Sequence, residues 1–383
     1  MTALIASIPA VITAASMGYC ALCICAGASF AARNRQFPVQ PFSLPPVSIL
    51  KPLKGIDPEM YESLRSHCLQ DYPEYEIVFG VSDINDPATA IVKRLQAEFP
   101  NRSVRLLLCD KVLGANRKVS SLAQMVSSAE YDFLVVNDSD IRVAPDYLRA
   151  VMSKLTRPDT GMVTCLYRGV ASGTLASRLE SLSISTDFIP GVLAARQIEG
   201  GLRFGLGSTL AFRKHDLQAA GGFEAIADYL ADDYELGRRI AANHRKLQLS
   251  KSVVETYLPA YDFAGFFSHQ LRWARTIRTS RPAGYAGLIF TFTLPWAVLT
   301  LALARGRGWA WILFAAAALI RVATALVIGR LVLRDKRTLR SLWLLPIRDA
   351  LAVVFWVGAL AGRKIIWRGE TFYLENGKLR RSD

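Results

Sequence analysis

Charge is missing from the opening stretch of this chain: no Asp, Glu, Lys or Arg stands between Thr2 and Ala32. A helix needs about 20 apolar residues to cross a bilayer, so this segment is long enough to span one. A cleaved leader has a basic start and a shorter apolar core. Here the first basic residues, Arg33 and Arg35, follow the run, which reads as a retained anchor whose following side faces the cytoplasm. Cysteine is also scarce. Of the six, Cys20, Cys23 and Cys25 lie inside the apolar segment and Cys68, Cys109 and Cys165 are scattered, which offers neither a disulfide framework nor a metal knuckle and suits a reducing compartment. There is no zinc-finger spacing, internal repeat or low-complexity tract. Acidic residues are outnumbered 46 to 32, giving a net charge of +14. Much of the excess lies from Pro282 onward, where 15 Lys and Arg face 5 Asp and Glu. Basic residues around apolar segments point to anionic lipid rather than to nucleic acid.

The last third reads as membrane again. Pro282 to Ala304 is uncharged, Gly308 to Gly329 carries only Arg321, and Leu342 to Gly362 is apolar apart from the pair Arg348 and Asp349. A lone arginine at mid-membrane costs about 2.5–3.5 kcal/mol or more, so Arg321 is expected to face a neighbouring helix or water. The first two segments form a hairpin turning at Arg305-Gly306-Arg307, returning the chain to the basic stretch Arg330, Arg334, Lys336, Arg337 and Arg340. A third crossing would export Arg363, Lys364 and Arg368, against the charge rule. Either that segment lies at the interface or one of the others does not cross.

Between these parts the pattern changes. Apolar runs at Val47 to Leu50, Ile77 to Val81, Val104 to Leu108 and Phe133 to Val136 alternate with stretches of helical spacing at Pro58 to Leu69 and Pro87 to Phe99. Both stretches open on Asp-Pro, a good helix start. This is the βαβ rhythm of a parallel sheet in an α/β domain. Gln36 to Pro46, with four prolines, is the linker before it.

Open α/β sheets bind ligands at the carboxyl ends of their strands. After the first run come Lys51 and Lys54, cations suited to phosphate or solvated loop charges. After the second come Asp83 and Asp86, acceptors for a base or ribose or caps for the next helix; Asp83 is the better ligand. After the fourth comes Asn137-Asp138-Ser139-Asp140. Carboxylates one residue apart suit a hard divalent cation shared with substrate phosphates, although the same residues also form acidic turns. Asp232-Asp233-Tyr234-Glu235 opens an amphipathic stretch, where acids are favoured by the helix dipole. His269-Gln270-Leu271-Arg272-Trp273 leads into Arg275, Arg278 and Arg281, a positive face suited to phosphate or to lipid head groups.

In order and spacing these motifs resemble the ceramide glucosyltransferase family, glycosyltransferase family 21, over nearly the whole chain. Val47-Ser48-Ile49-Leu50-Lys51-Pro52-Leu53-Lys54-Gly55 looks like its opening signature, followed by Asp71-Tyr72-Pro73, Asp86-Pro87-Ala88 and the Asn-x-Lys element Asn116-Arg117-Lys118. The resemblance implies a GT-A nucleotide-sugar domain over 47–281 facing the cytoplasm. Around it would lie an anchor at 1–32, a linker at 33–46, and transmembrane or interfacial helices with a basic tail at 282–383. It places Asp138 and Asp140 on the Asp-x-Asp metal site for Mg2+ or Mn2+, Lys51, Lys54, Asp83, Asp86, Lys118, Asp138 and His269 around the nucleotide, and Asp233 on the catalytic base. Arg272 and Trp273 fall on the end of the (Gln/Arg)-x-x-Arg-Trp motif. His269 departs from it, standing where the family has Gln or Arg. Thr164-Cys165-Leu166-Tyr167-Arg168-Gly169 is similar to bacterial members, including hopanoid-associated glycosyltransferases.

The implied reaction moves a sugar from UDP-glucose or UDP-N-acetylglucosamine to the hydroxyl of a membrane lipid, ceramide or a hopanoid alcohol, with inversion, at a bacterial inner membrane. A cation would stabilise the departing diphosphate, with Arg272 and the basic residues adding fixed charge. Asp233 would take the hydroxyl proton, and Trp273 would line the acceptor side. Leu175 to Arg196 would lie on the lipid near the acceptor entrance, or else cover the sheet as an amphipathic helix. A processive polysaccharide synthase shares the Asp-x-Asp and Arg-Trp elements but usually needs more crossings. A non-catalytic nucleotide-binding transporter or scaffold would place its ionisable residues inside the spans.

Overall fold

The structure, a computed structural model, describes residues 2–36, 44–367 and 369–381. Most of the linker expected over 33–46, and Arg368 of the basic tail, lie outside the described residues. Two compact units emerge: one from 38–170, 199–259 and 372–383, the other from 1–37, 171–198 and 260–371.

The first unit is built on an eight-stranded sheet of β1 (Val47–Leu53), β2 (Tyr75–Val81), β3 (Ser103–Leu108), β4 (Phe133–Val136), β5 (Ile141–Arg142), β6 (Thr160–Val170), β7 (Leu210–Arg213) and β8 (Lys246–Tyr257). Their order is β3-β2-β1-β4-β7-β6-β8-β5. The first four are mutually parallel, with Leu50 opposite Val136 and Lys51 opposite Phe79. β7 runs antiparallel between β4 and β6. Central strands are buried, as the unbroken apolar runs of a covered parallel sheet require; Ile49, Leu50, Ile77, Val78, Val135 and Val136 are all fully enclosed. Helices α2 (Met60–Cys68), α3 (Ala88–Glu98), α4 (Arg117–Ser128), α5 (Tyr147–Leu155), α8 (Lys214–Ala219) and α9 (Asp232–Ala242) complete the unit. Strand order reverses between β1 and β4, so the loops after these two strands border a topological switch point, where such sheets bind ligands.

The second unit is helical. It contains α1 (Thr2–Gln36), α6 (Leu175–Ser183), α7 (Ile189–Ile198), α10 (Phe263–Ser280), α11 (Pro282–Gly287), α12 (Thr293–Leu303), α13 (Gly308–Leu326), α14 (Lys336–Ser341) and α15 (Leu345–Leu360). Three stretches, Ile5–Asn34, Gly308–Val332 and Leu342–Leu360, are long and apolar enough to cross a membrane. The stretch expected to cross from Pro282 to Ala304 is broken instead: its two helical pieces, Pro282–Thr291 and Thr293–Leu303, meet at 52°. At the break Phe292 leaves helical geometry, with ψ 62°, and the Trp296 indole donates to the Ile289 carbonyl at 2.7 Å. α12 alone, at about 1.5 Å per residue, is far short of a 30 Å hydrocarbon layer. The chain does reverse at Arg305 and Gly306, both in left-handed conformation, before α13.

Segment 171–198 groups with these helices, whereas the sequence reading assigns it, with 260–281, to the α/β domain. α6 and α7 join through a π-helical turn at Ile184–Phe188. Asp187 in that turn meets Arg321 at 2.6 Å and Arg348 at 3.1 Å. Arg321 faces neighbouring helices, as expected, and also pairs with Asp349 at 2.7 Å.

Candidate active site

Asn137 sets the loop after β4. It is fully buried, and its amide nitrogen donates to the Ser208 carbonyl at 2.7 Å, the Tyr147 hydroxyl at 2.9 Å and Thr209 Oγ1 at 3.1 Å. Below the loop lies Lys51, also fully buried, whose ammonium donates to the Asp138 carbonyl at 3.0 Å and lies 3.4 Å from His67 Nε2. Burial, opposed by Asp140 and Asp138, pulls the Lys51 pKa down to about 7. Its ammonium is committed to bracing the loop. Ser139 donates to Asp57 and Thr256 to Asp140, which fixes the loop from both sides.

Asn116 caps α4, accepting from Val119 N at 3.2 Å while its amide donates to the Tyr229 carbonyl at 2.8 Å. This explains the Asn-x-Lys spacing: the cap ties the helix start to 227–229 and so delivers Lys118 to two carboxylates. Its ammonium lies 2.8 Å from Asp138 Oδ1 and 3.1 Å from Asp232 Oδ2. Burial works against the Lys118 charge, but Asp138 and Asp232 outweigh it and hold the ammonium well above the ordinary lysine range.

α9 starts at Asp232, and its second residue is Asp233. Gly237 lets this helix approach the 204–205 backbone, since a Cβ there would sit 2.2 Å from Gly205 N and 2.6 Å from Phe204 C. Asp233 accepts from Gly207 N at 2.7 Å and Tyr234 N at 2.8 Å. Burial and then the neighbouring Asp232 raise its pKa above the usual carboxylate range, with Lys118 opposing. Asp140 is raised in the same way, by burial and then by Asp138, against the Thr256 hydrogen bond.

Asp138 and Asp233 converge on Gly207. A Cβ at that position would lie 3.1 Å from Asp138 Oδ2 and 3.3 Å from Asp233 Oδ2, so the glycine leaves space between two carboxylate oxygens. The space borders Asp138, and the Asp138 and Asp140 carboxylates, near enough for Asp138 to raise the proton affinity of Asp140, give the all-oxygen donor set that a hard divalent cation takes. Among the described residues no three His, Cys, Asp or Glu side chains form an all-protein metal cage, which suits an ion held by one or two carboxylates and completed by substrate phosphates.

The remaining sites in this unit are more peripheral. Asp86 uses its carboxylate on Gly55 N at 3.0 Å and on Ala88 N at 2.9 Å, at the start of α3. Asp83 and Lys54 are exposed, and Asp83 accepts from Asn85 N at 2.9 Å. The structure therefore joins the nucleotide-site candidates Lys51, Lys118 and Asp138, the metal-site candidate Asp140 and the candidate base Asp233 into one cluster. Sequence reasoning did not single out Gly207, Gly237 or Asp57. No local motif marks the two glycines, whose importance lies in what approaches them, and Asp57 shows in the sequence only as part of a helix start.

In the helical unit, His269, Arg272 and Trp273 share one face of α10, being three and four residues apart. His269 Nδ1 lies 3.2 Å from Glu180 Oε1, a buried carboxylate. The His269 ring stacks on Tyr261 with centroids 5.5 Å apart and tilts against Trp273 at 5.4 Å. Trp273 in turn meets Phe188 at 5.7 Å.

A mixed, mainly parallel sheet with acidic residues at its carboxyl edge, joined in one chain to apolar helices, defines a GT-A glycosyltransferase fold with membrane-length segments. The fold is shared with the mannosyltransferase PcManGT from Pyrobaculum calidifontis, solved in complex with GDP-Man and Mn2+, at a TM-score of 0.50 and 19% identity, covering 91% of this chain and 99% of that one. Glycosyl transferase family 21 matches residues 8–380, and the chain belongs to that family. Ceramide glucosyltransferase 3 of Caenorhabditis elegans is 26% identical over 234 residues, 61% of this chain and 50% of that protein. Ceramide glucosyltransferase of Komagataella phaffii is 36% identical over 137 residues, 34% of this chain and 27% of that protein. The chain thus spans half or less of the length of these relatives.

Proposed function

We propose that this protein transfers one sugar from a UDP-sugar, UDP-glucose or UDP-N-acetylglucosamine, to the hydroxyl of a membrane lipid, ceramide or a hopanoid alcohol, with inversion at the anomeric carbon. The observation that carries this reading is the convergence of Asp138 and Asp233 on Gly207, with Lys118 bridging Asp138 and Asp232. Two acidic elements far apart in sequence meet where a cation and a proton acceptor are both needed. The ceramide glucosyltransferases among its relatives support a lipid alcohol as acceptor.

Asp138 and Asp140 would hold a divalent cation, Mg2+ or Mn2+, which when bound supplies Lewis-acid stabilisation of diphosphate charge. Lys118 fixes the Asp138 carboxylate and adds positive charge of its own. Asp233 takes the acceptor hydroxyl's proton at a carboxylate oxygen. Its two backbone hydrogen bonds hold it in place. Arg272 would add fixed charge to the leaving diphosphate, and Trp273 would line the acceptor side. A single base and direct displacement give inversion.

The apolar helices bring a water-soluble donor and a lipid acceptor to one interface, the bacterial inner membrane. The catalytic domain lies on the cytoplasmic side, as Arg33 and the basic stretch from Arg330 to Arg340 favour. Incubating purified full chain with each UDP-sugar and with ceramide or a hopanoid alcohol tests the assignment by product mass. A lipid carrying a single sugar supports it; a ladder of oligomers, or donor binding without any product, overturns it.

A further inference from the structure

Inside the helical unit lies a buried ionic quartet drawn from three chain segments: Asp187 in the turn between α6 and α7, Arg321 on α13, and Arg348 with Asp349 on α15. Arg321 is fully engaged. Its Nε donates to Asp349 Oδ2 at 3.0 Å, its Nη2 to Asp349 Oδ1 at 2.7 Å and Asp187 Oδ1 at 2.6 Å, and its Nη1 to the Thr186 carbonyl at 2.7 Å. Arg348 is not. Only its Nη2 meets a carboxylate, Asp187 Oδ2 at 3.1 Å, while Nε and Nη1 are buried with no hydrogen-bond partner among the described residues. The residue is 7% exposed. Buried donors without an acceptor are costly, and more so on a charged group.

The surroundings favour one kind of acceptor for these two donors. Two arginines and two aspartates already balance, so a further buried anion would be uncompensated, whereas an uncharged oxygen adds hydrogen bonds without adding charge. The walls are apolar: the Arg348 guanidinium stands 6.0 Å from the Phe355 ring, which packs on Phe266 and Phe267 of α10 at 5.6 and 5.0 Å. The chain beside Arg348 also reaches the motif on α10, since Asp187 pairs with Arg348, Phe188 meets Trp273 and Glu180 meets His269. A π-helical turn at this point, Ile184–Phe188, is the sort of local irregularity found at functional sites.

We propose that Arg348 is a specificity-determining residue for the lipid acceptor, its Nε–H and Nη1–H donating to a hydroxyl or amide oxygen of an uncharged head group. This rests on the reading that the acceptor is a lipid alcohol. Arg348→Lys keeps the charge and can keep the Asp187 pair but loses the planar fork.

The test is carried out on the full chain in detergent micelles, with short-chain ceramide as acceptor and short-chain phosphatidic acid as the anionic control. Arg348→Lys is expected to raise the acceptor KM about tenfold or more, the loss of a charge-assisted hydrogen bond, while leaving the KM for UDP-sugar unchanged. An unchanged acceptor KM, or an equal rise in both, overturns the proposal. If Arg348→Lys does not fold, the charge-balanced variant Asp187→Asn with Arg348→Met carries the same readout. If the wild type turns over no ceramide, native mass spectrometry decides independently of the proposed reaction. Ceramide retained by the wild type and lost in the variant supports the site. Equal retention, preference for phosphatidic acid, or no binding to the wild type overturns it.

Discussion

At Gly207 the absence of one carbon atom keeps two carboxylates facing a common space, and the consequences can be tested one residue at a time. Gly207→Ala would put a methyl group against Asp138 Oδ2 and Asp233 Oδ2. Donor binding is expected to weaken about tenfold or more, on the scale of a lost charge-assisted contact, with the circular dichroism spectrum unchanged. Wild-type affinity in isothermal titration would show that the space is not used. Asp138→Ala is expected to weaken UDP-sugar binding and to remove its stimulation by Mn2+; titration with and without the metal separates the two effects. His269 teaches a different lesson. The resemblance puts it near phosphate, whereas its protein neighbour is a tertiary fact that no local pattern carries: Glu180, distant in sequence, lies 3.2 Å away.

At the scale of elements, the parallel half of the sheet was legible because buried parallel strands must be continuous apolar runs. β1 to β4 form where those runs stand, and α2 and α3 begin just after their Asp-Pro pairs. β6 and β8 were not foreseen. Thr164, Arg168, Ser250 and Glu255 interrupt their apolar character, and pairs such as Arg168 with Glu255 at 2.8 Å satisfy these polar groups only once the strands lie side by side. The bend at Phe292 escaped for a similar reason, since composition alone cannot distinguish a straight span from a broken one. α9 offers the sharpest test at this scale. Gly237→Ala would drive a methyl group into the Gly205 and Phe204 backbone, so the helix carrying Asp232 and Asp233 must shift. Overpacking of this kind costs about 1–3 kcal/mol, read as a lowered thermal midpoint, and turnover is expected to fall with it. A variant of normal midpoint and normal turnover would contradict the close approach.

For the whole molecule, membrane-length helices and an α/β domain were both readable from where charge is absent, but the assignment of 171–198 was not. Leu175 to Arg196 reads as a segment lying on the lipid or covering the sheet, and nothing local shows that Asp187 is matched inside the helical unit by Arg321 and Arg348. Removing one partner of such a buried network costs about 3–5 kcal/mol. Arg321→Met is therefore expected to lower the unfolding midpoint in detergent clearly, and adding Asp349→Asn to recover part of the loss. An unchanged midpoint would mean that the quartet contributes nothing to holding these segments. The proposed reaction joins a polar donor to a lipid acceptor. Its chemical core is proton removal by Asp233, and the most direct measurement is turnover of UDP-sugar and lipid acceptor by Asp233→Asn beside the wild type, with donor affinity determined on the same samples. The expected result is a rate at least about a hundredfold lower with donor affinity retained; an Asp233→Asn enzyme turning over at the wild-type rate would contradict the account.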